Sequence, residues 1–214
     1  MQTIKHINGS NKAILFFNGW GMDENIAPET NDFDVFILQQ YHSEGEFPIK
    51  ELVAYDEIYL CAWSMGVWAA EQQNWQGLNI KQAVAINGTS SGIDDLFGIP
   101  EANFQATLDH FSEVGLQKFT KRMCRKLPAE FISSIMNKRL LEDQREELAW
   151  FIAKSKTIEK RVIHWNKAFI GSNDLIFPAE NLNAFWMDEL KATELEMPHF
   201  PFFHLDSWNK IFNL

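Results

Sequence analysis

Cysteine is scarce: Cys61 and Cys124 are the two in 214 residues, too few for a disulfide scaffold. Cys61 falls inside an apolar run where a small buried thiol fits, and neither cysteine needs a chemical role. Cationic residues are outnumbered, with 19 Lys and Arg against 29 Asp and Glu, a formal charge of −10 and a pI near 5.1. Such a surface does not neutralise a phosphate backbone, so nucleic acid is not an expected partner. No apolar stretch reaches the length of a bilayer span. The opening Met1-Gln2-Thr3-Ile4-Lys5-His6 lacks the long apolar run of a secretion signal. The expectation is a soluble, cytoplasmic monomer without stable membrane insertion. Internal repeats, low-complexity segments and dinucleotide or P-loop signatures are missing too, and no cofactor or metal is expected.

What is present is apolar: 46% of the residues are hydrophobic or aromatic, enough for one substantial core. The expected organisation is a single domain over residues 1–214 with a helical insertion. Ala13-Ile14-Leu15-Phe16-Phe17, Val35-Phe36-Ile37-Leu38, Ile58-Tyr59-Leu60-Cys61-Ala62 and Ala83-Val84-Ala85-Ile86 are compact apolar runs bounded by turn residues, the pattern of buried strands. Strand signals return at Val162-Ile163-His164-Trp165, Ala168-Phe169-Ile170 and Thr193-Glu194-Leu195-Glu196-Met197. Helical patterns alternate with them: one follows Ser64 to Trp75, one runs from Pro178 through Trp186, and one closes the chain from Trp208 to Phe212. This alternation predicts an α/β fold, mainly a parallel sheet with helices on both faces. Its active groups are then expected at the strand carboxyl ends.

From about Ile99 to Lys160 the strand signal disappears. Phe104, Leu108, Phe111, Leu116, Phe119, Met123, Phe131, Ile135, Leu141, Leu148, Phe151 and Ile152 recur at helical separations, punctuated by Pro100 and Pro128. The reading is a helical lid inserted at approximately 99–160 and folded over the sheet edge. Between Leu116 and Arg145 this segment carries Lys118, Lys121, Arg122, Arg125, Lys126, Lys138, Arg139 and Arg145 against Glu130, Glu142 and Asp143. A local basic surface suits an acidic partner; a merely solvated helical face is the alternative.

Chemistry is concentrated at Ala62-Trp63-Ser64-Met65-Gly66, a serine on a sharp turn between a strand and a helix. Small residues two before and two after let strand and helix pass closely while the serine is held in a strained conformation. Ala62 stands where Gly is usual, the smallest departure available. A hydroxyl needs a base to act as nucleophile. His199, bracketed by Pro198 and Pro201, is favoured for it over His204 and His164. Asp174, in the loop after another strand, suits the second ring nitrogen, although an Asx turn would also explain it. The order Ser64, Asp174, His199 is that of an α/β-hydrolase triad. The backbone N–H groups of Met65 and of Trp20, in Asn18-Gly19-Trp20-Gly21, supply a plausible oxyanion hole, and the Trp20 ring is also placed to lie against an acyl chain.

Together these segments resemble the α/β-hydrolase superfamily. They are more closely similar to the BioG-type pimeloyl-acyl-carrier-protein methyl ester esterases, over nearly the whole chain. The resemblance rests on Phe16-Phe17-Asn18-Gly19-Trp20-Gly21, Ala62-Trp63-Ser64-Met65-Gly66-Val67-Trp68, Asn87-Gly88-Thr89, Phe97-Gly98-Ile99-Pro100, Ser172-Asn173-Asp174-Leu175-Ile176-Phe177-Pro178 and His199-Phe200. It implies hydrolysis of the methyl ester of pimeloyl held on acyl carrier protein through phosphopantetheine, within biotin precursor synthesis. Ser64 is then nucleophile, His199 base, Asp174 its orienter, and Trp20 and Met65 the oxyanion donors. Lys118, Arg122 and Arg125, spaced to share a helical face, become candidates for docking the acidic carrier. Two other readings stay open at this level: a general short-chain carboxylesterase or acyl thioesterase, and a noncatalytic acyl- or protein-binding module on a hydrolase fold.

Overall fold

The computed structural model describes residues 1–135, 138–155 and 162–213. Seven strands form one sheet in the order β1-β3-β2-β4-β5-β6-β7. They are β1 (Gln2–His6), β2 (Lys12–Phe17), β3 (Asp34–Gln39), β4 (Glu57–Trp63), β5 (Ile80–Ile86), β6 (Lys167–Gly171) and β7 (Thr193–Leu195). From β3 to β7 every pairing is parallel, and β1 alone runs antiparallel against β3. The four apolar runs read as strands lie in β2, β3, β4 and β5, where the side chains are almost wholly buried. Burial on both faces is what produces a continuous apolar run in place of an alternating one.

The helices are α1 (Ile49–Leu52), α2 (Met65–Glu71), α3 (Glu101–Asp109), α4 (Glu113–Met123), α5 (Ala129–Ser134), α6 (Leu141–Ser155), α7 (Ala179–Trp186) and α8 (Trp208–Phe212). Pro178 caps α7 and Pro128 caps α5, each with extended backbone that starts the helix. Helices α3 to α6 occupy the segment between β5 and β6, in keeping with the helical spacing of its apolar residues. The expected end of that segment, near Lys160, lies outside the described residues.

Two expectations differ from the structure, and β1 is a strand that the apolar pattern does not announce. Val162-Ile163-His164-Trp165 is not a strand. The buried carboxylate of Glu71 accepts the Val162 and Ile163 N–H groups (2.7 and 3.2 Å) and the Trp165 indole (2.8 Å), so these donors are satisfied without a neighbouring strand. Helix α2 ends at Glu71 instead of Trp75, whose indole turns back to the Ala70 carbonyl at 2.9 Å. Strand β1 carries no apolar run, since its side chains are exposed or half-buried at the sheet edge. Among the described residues no helix is long and apolar enough to cross a membrane.

Candidate active site

Ser64 follows β4 and precedes α2 with φ 58° and ψ −130°, a left-handed conformation for a residue with a side chain. The turn is tight on both sides. A Cβ at Gly66 would collide with the Phe17 carbonyl oxygen and stand 2.6 Å from that of Asn18. One at Gly88, in the loop after β5, would collide with the carbonyl oxygen of Ser64. The residue two before the serine is under no such restriction: Ala62 is fully buried between Phe17 and Ala85 in register, and its methyl fits.

His199 enters from the loop after β7, its ring Nε2 2.9 Å from Ser64 Oγ. Its Nδ1 lies 2.7 Å from Asp174 Oδ2. With Nδ1 protonated toward the carboxylate, Nε2 is left to accept the serine hydroxyl. Asp174 follows β6 and divides its two oxygens: Oδ1 accepts the Ile176 and Phe177 N–H groups at 2.7 and 2.9 Å. The Asx-turn reading and the histidine-partner reading of Asp174 therefore hold together, because the turn itself aims Oδ2 at the ring. Phe177 stacks on the imidazole with centroids 6.1 Å apart and planes at 13°. All three side chains are buried. His204 and His164 are exposed, whereas the histidine bonded to the buried Ser64 hydroxyl is His199.

Asn87 and Trp63 lie in segments that carry the family resemblance, but what each of them holds was not legible in the sequence. Asn87, at the end of β5, donates to the carbonyls of His199 (2.9 Å) and Pro198 (3.1 Å) and accepts the Gly171 N–H (2.7 Å). Trp63 adds an indole bond to the same His199 carbonyl at 2.9 Å. Asn87 has φ 45°, a region asparagine tolerates better than most side chains. The signal for its role was an asparagine before Gly88 at a strand end, which is also an ordinary turn. Asn87→Ala leaves the Gly171 N–H and the Pro198 carbonyl buried without partners. The expected result is a loss of about 2–3 kcal/mol, a Tm lower by roughly 5–10 °C, and a fall in ester turnover. Thermal denaturation and kinetics on one preparation check both.

The serine opens into a cavity of about 110 Å³ lined by, among others, Trp20, Met65, Ile99, Phe104, Phe119 and Leu148. Four of these six come from the α3–α6 segment or its approach. The Trp20 ring packs edge-on against Phe119 at 4.9 Å and against Phe111 at 6.0 Å. A larger outer cleft of about 960 Å³ is lined by residues of α3 and α4 and shares Trp20, Asn103, Thr107, Phe119 and Arg122 with the cavity.

Lys118, Arg122 and Arg125 are all exposed. Lys118 and Arg122 share a face of α4, but Arg125 does not, because the helix ends at Met123 with its cap at Cys124. Arg122 lines both the inner cavity and the outer cleft. Arg139 leaves the basic surface altogether: its side chain is 4% exposed and pairs with Asp143 (2.7 Å) and Glu147 (2.8 Å). Burial raises the thiol of Cys61 far above its ordinary value and that of Cys124 to about 12, so neither supplies a thiolate. Among the described residues no cluster of His, Cys, Asp and Glu could hold a metal ion.

This geometry sits on a fold found repeatedly among hydrolases. A family model described as pimeloyl-ACP methyl esterase BioG matches residues 1–211. The chain belongs to the BioG family. A crystal structure of BioG from Haemophilus influenzae matches it with a TM-score of 0.88 at 32% identity, covering 99% of each chain. An esterase from Exiguobacterium antarcticum shares the α/β-hydrolase fold, with a TM-score of 0.69 at 11% identity over 95% of this chain and 90% of the other. A malonyl-[acyl-carrier protein] O-methyltransferase from Bacteroides fragilis is 42% identical over 182 residues, which is 82% of this chain but 36% of the relative. The chain thus spans about a third of that relative's length.

Proposed function

We propose that this BioG-family chain hydrolyses the methyl ester of pimeloyl held on acyl carrier protein, releasing methanol and the free acid still attached to the carrier. The observation that carries the reading is the continuous contact from Ser64 Oγ through His199 to Asp174, 2.9 and 2.7 Å, beside a cavity that offers Trp20, Phe104, Phe119 and Leu148 to an acyl chain and Asn103, Thr107 and Arg122 to its polar end. Ser64 Oγ attacks the ester carbonyl carbon while His199 Nε2 takes its proton. The tetrahedral oxyanion is held by the Trp20 and Met65 N–H groups. Collapse breaks the bond to the methoxy oxygen, which leaves as methanol with the proton from His199. Water then attacks the acyl-enzyme, His199 takes its proton and returns it to Ser64 Oγ, and the carboxylic acid departs.

In this reading helices α3–α6 act as a lid, with the acyl chain in the inner cavity and the pantetheine arm leaving by the outer cleft. The basic residues of α4 face an acidic carrier, and the setting is the cytoplasm, with the chain acting as a monomer. The Bacteroides relative is described as methylating a carrier-bound acid; a methyl ester is what such a reaction makes and what this one removes.

The test compares kcat/KM for the carrier-linked methyl ester with that for a small free methyl ester. A strong preference for the carrier-linked substrate is expected, and equal values would return the chain to a general carboxylesterase. Arg122 touches the inner cavity, so Lys118→Ala with Arg125→Ala isolates docking from acyl binding. That pair is expected to lower kcat/KM on the carrier-linked ester by roughly tenfold at low salt. Its effect on the small ester should be slight, and the difference should shrink as ionic strength rises. Equal losses on both substrates would remove the docking role.

A further inference from the structure

The oxyanion loop is held from behind by the helical insertion. In the turn Asn18 to Met22, Asn18 N–H donates to the Leu38 carbonyl (2.9 Å), Gly19 N–H to Asn18 Oδ1 (2.9 Å) and Met22 N–H to the Gly19 carbonyl (3.4 Å). Gly21 N–H donates to Glu147 Oε2 at 3.0 Å. Only the Trp20 N–H has no acceptor among the described residues, and Trp20 lines the Ser64 cavity. Glu147 belongs to α6, more than a hundred residues away in the chain.

The Glu147 side chain is 0% exposed. Besides Gly21 it accepts the Tyr41 N–H through Oε1 (2.9 Å) and Arg139 Nη1 through Oε2 (2.8 Å). The Tyr41 hydroxyl in turn donates to the Asn18 carbonyl at 2.7 Å, the opposite end of the same turn. One turn earlier on α6, the Gln144 carbonyl accepts the Trp20 indole N–H at 2.8 Å. A buried ion pair is a poor way to gain stability, since apolar residues of equal volume usually do as well. A carboxylate here does what no apolar side chain could: it holds two main-chain donors in place.

We propose that Glu147 is a positioning residue that fixes the Gly21 peptide so that the preceding N–H, that of Trp20, points at the developing oxyanion. The inference rests on the hydrolase reading above. It makes the insertion part of the catalytic geometry as well as a cover, because the helix that walls the cavity also sets one of its two oxyanion donors. Arg139 Nη1 donates to Oε2, the same carboxylate oxygen that accepts the Gly21 N–H, and so holds that oxygen in place.

Three variants test this on a small free methyl ester, with binding of a trifluoromethyl ketone measured alongside, since its serine adduct carries an oxyanion. Glu147→Gln combined with Arg139→Met removes the charge pair without leaving either partner alone, and an amide cannot accept from both N–H groups in that orientation. The expected result is a kcat lower by roughly 10- to 100-fold, a KM within about threefold, and a ketone Ki that rises in step with the loss of kcat. Glu147→Asp keeps a carboxylate on the same side as Arg139 but withdraws it by one methylene from the Gly21 and Tyr41 N–H groups, and an intermediate loss with the same pattern is expected. Arg139→Lys keeps a cation beside Glu147 and should behave close to wild type.

A purely structural role would lower Tm while leaving kcat and Ki per folded molecule unchanged, and that result in Glu147→Asp overturns the inference even if the double variant does not fold. A loss confined to KM overturns it as well. A wild-type protein that neither turns over the ester nor binds the ketone defeats the hydrolase reading, and this inference with it.

Discussion

Ser64→Ala is expected to leave a folded protein whose ester hydrolysis is lower by about 10⁴- to 10⁶-fold. The fold should survive because the change removes one oxygen and keeps the backbone demand. Ser64 holds φ 58° in a turn packed against Phe17, Asn18 and Gly88, and alanine bears that strain as serine does. The chemistry should fail because Ser64 Oγ is the hydroxyl paired with His199 Nε2, and burial raises both thiols above their ordinary values, so neither offers a thiolate in its place. A small residual rate should remain, since the Trp20 and Met65 N–H groups and the apolar wall still bind and polarise the ester. Methanol release measured beside circular dichroism decides the matter. A native spectrum with turnover within tenfold of wild type would rule Ser64 out as nucleophile.

The second large effect separates the histidines. His199→Ala is expected to lower turnover by about 10⁴-fold or more, while His204→Ala stays within about threefold. His199 is 1% exposed, with each ring nitrogen on a partner and its carbonyl held by Trp63 and Asn87. His204 is exposed, and its carbonyl accepts from the Lys210 ammonium at 3.4 Å. Asp174→Asn should follow His199, because an amide in place of Oδ2 removes the charge that stabilises the imidazolium and offers the wrong partner to Nδ1. Its Asx turn can be kept by the remaining oxygen, so loss of rate without loss of Tm is the expected signature. An active, folded His199→Ala protein with an inactive His204→Ala would exchange the two assignments.

What the sequence determined by itself were the features set by local chemistry. Runs such as Ala13–Phe17 and Ala83–Ile86 are apolar throughout because they are covered on both faces, and that alone predicts central parallel strands. The small residue at Gly66 and the order of Ser64, Asp174 and His199 are written in the chain because the turn sterics and the strand-end placement are local demands. Where a segment's donors find a side chain instead of a strand, as Val162 and Ile163 do with Glu71, the apolar pattern misleads. Arg139 belonged by spacing to a basic surface, and only packing shows it withdrawn against Glu147. The same is true of Asn87 on the His199 loop and of Glu147 on the Gly21 peptide: each is a single polar residue bonding main-chain groups dozens of positions away. Hydrogen bonds to backbone atoms leave no residue-type signature at the receiving end, so these supports came into view only with the tertiary structure.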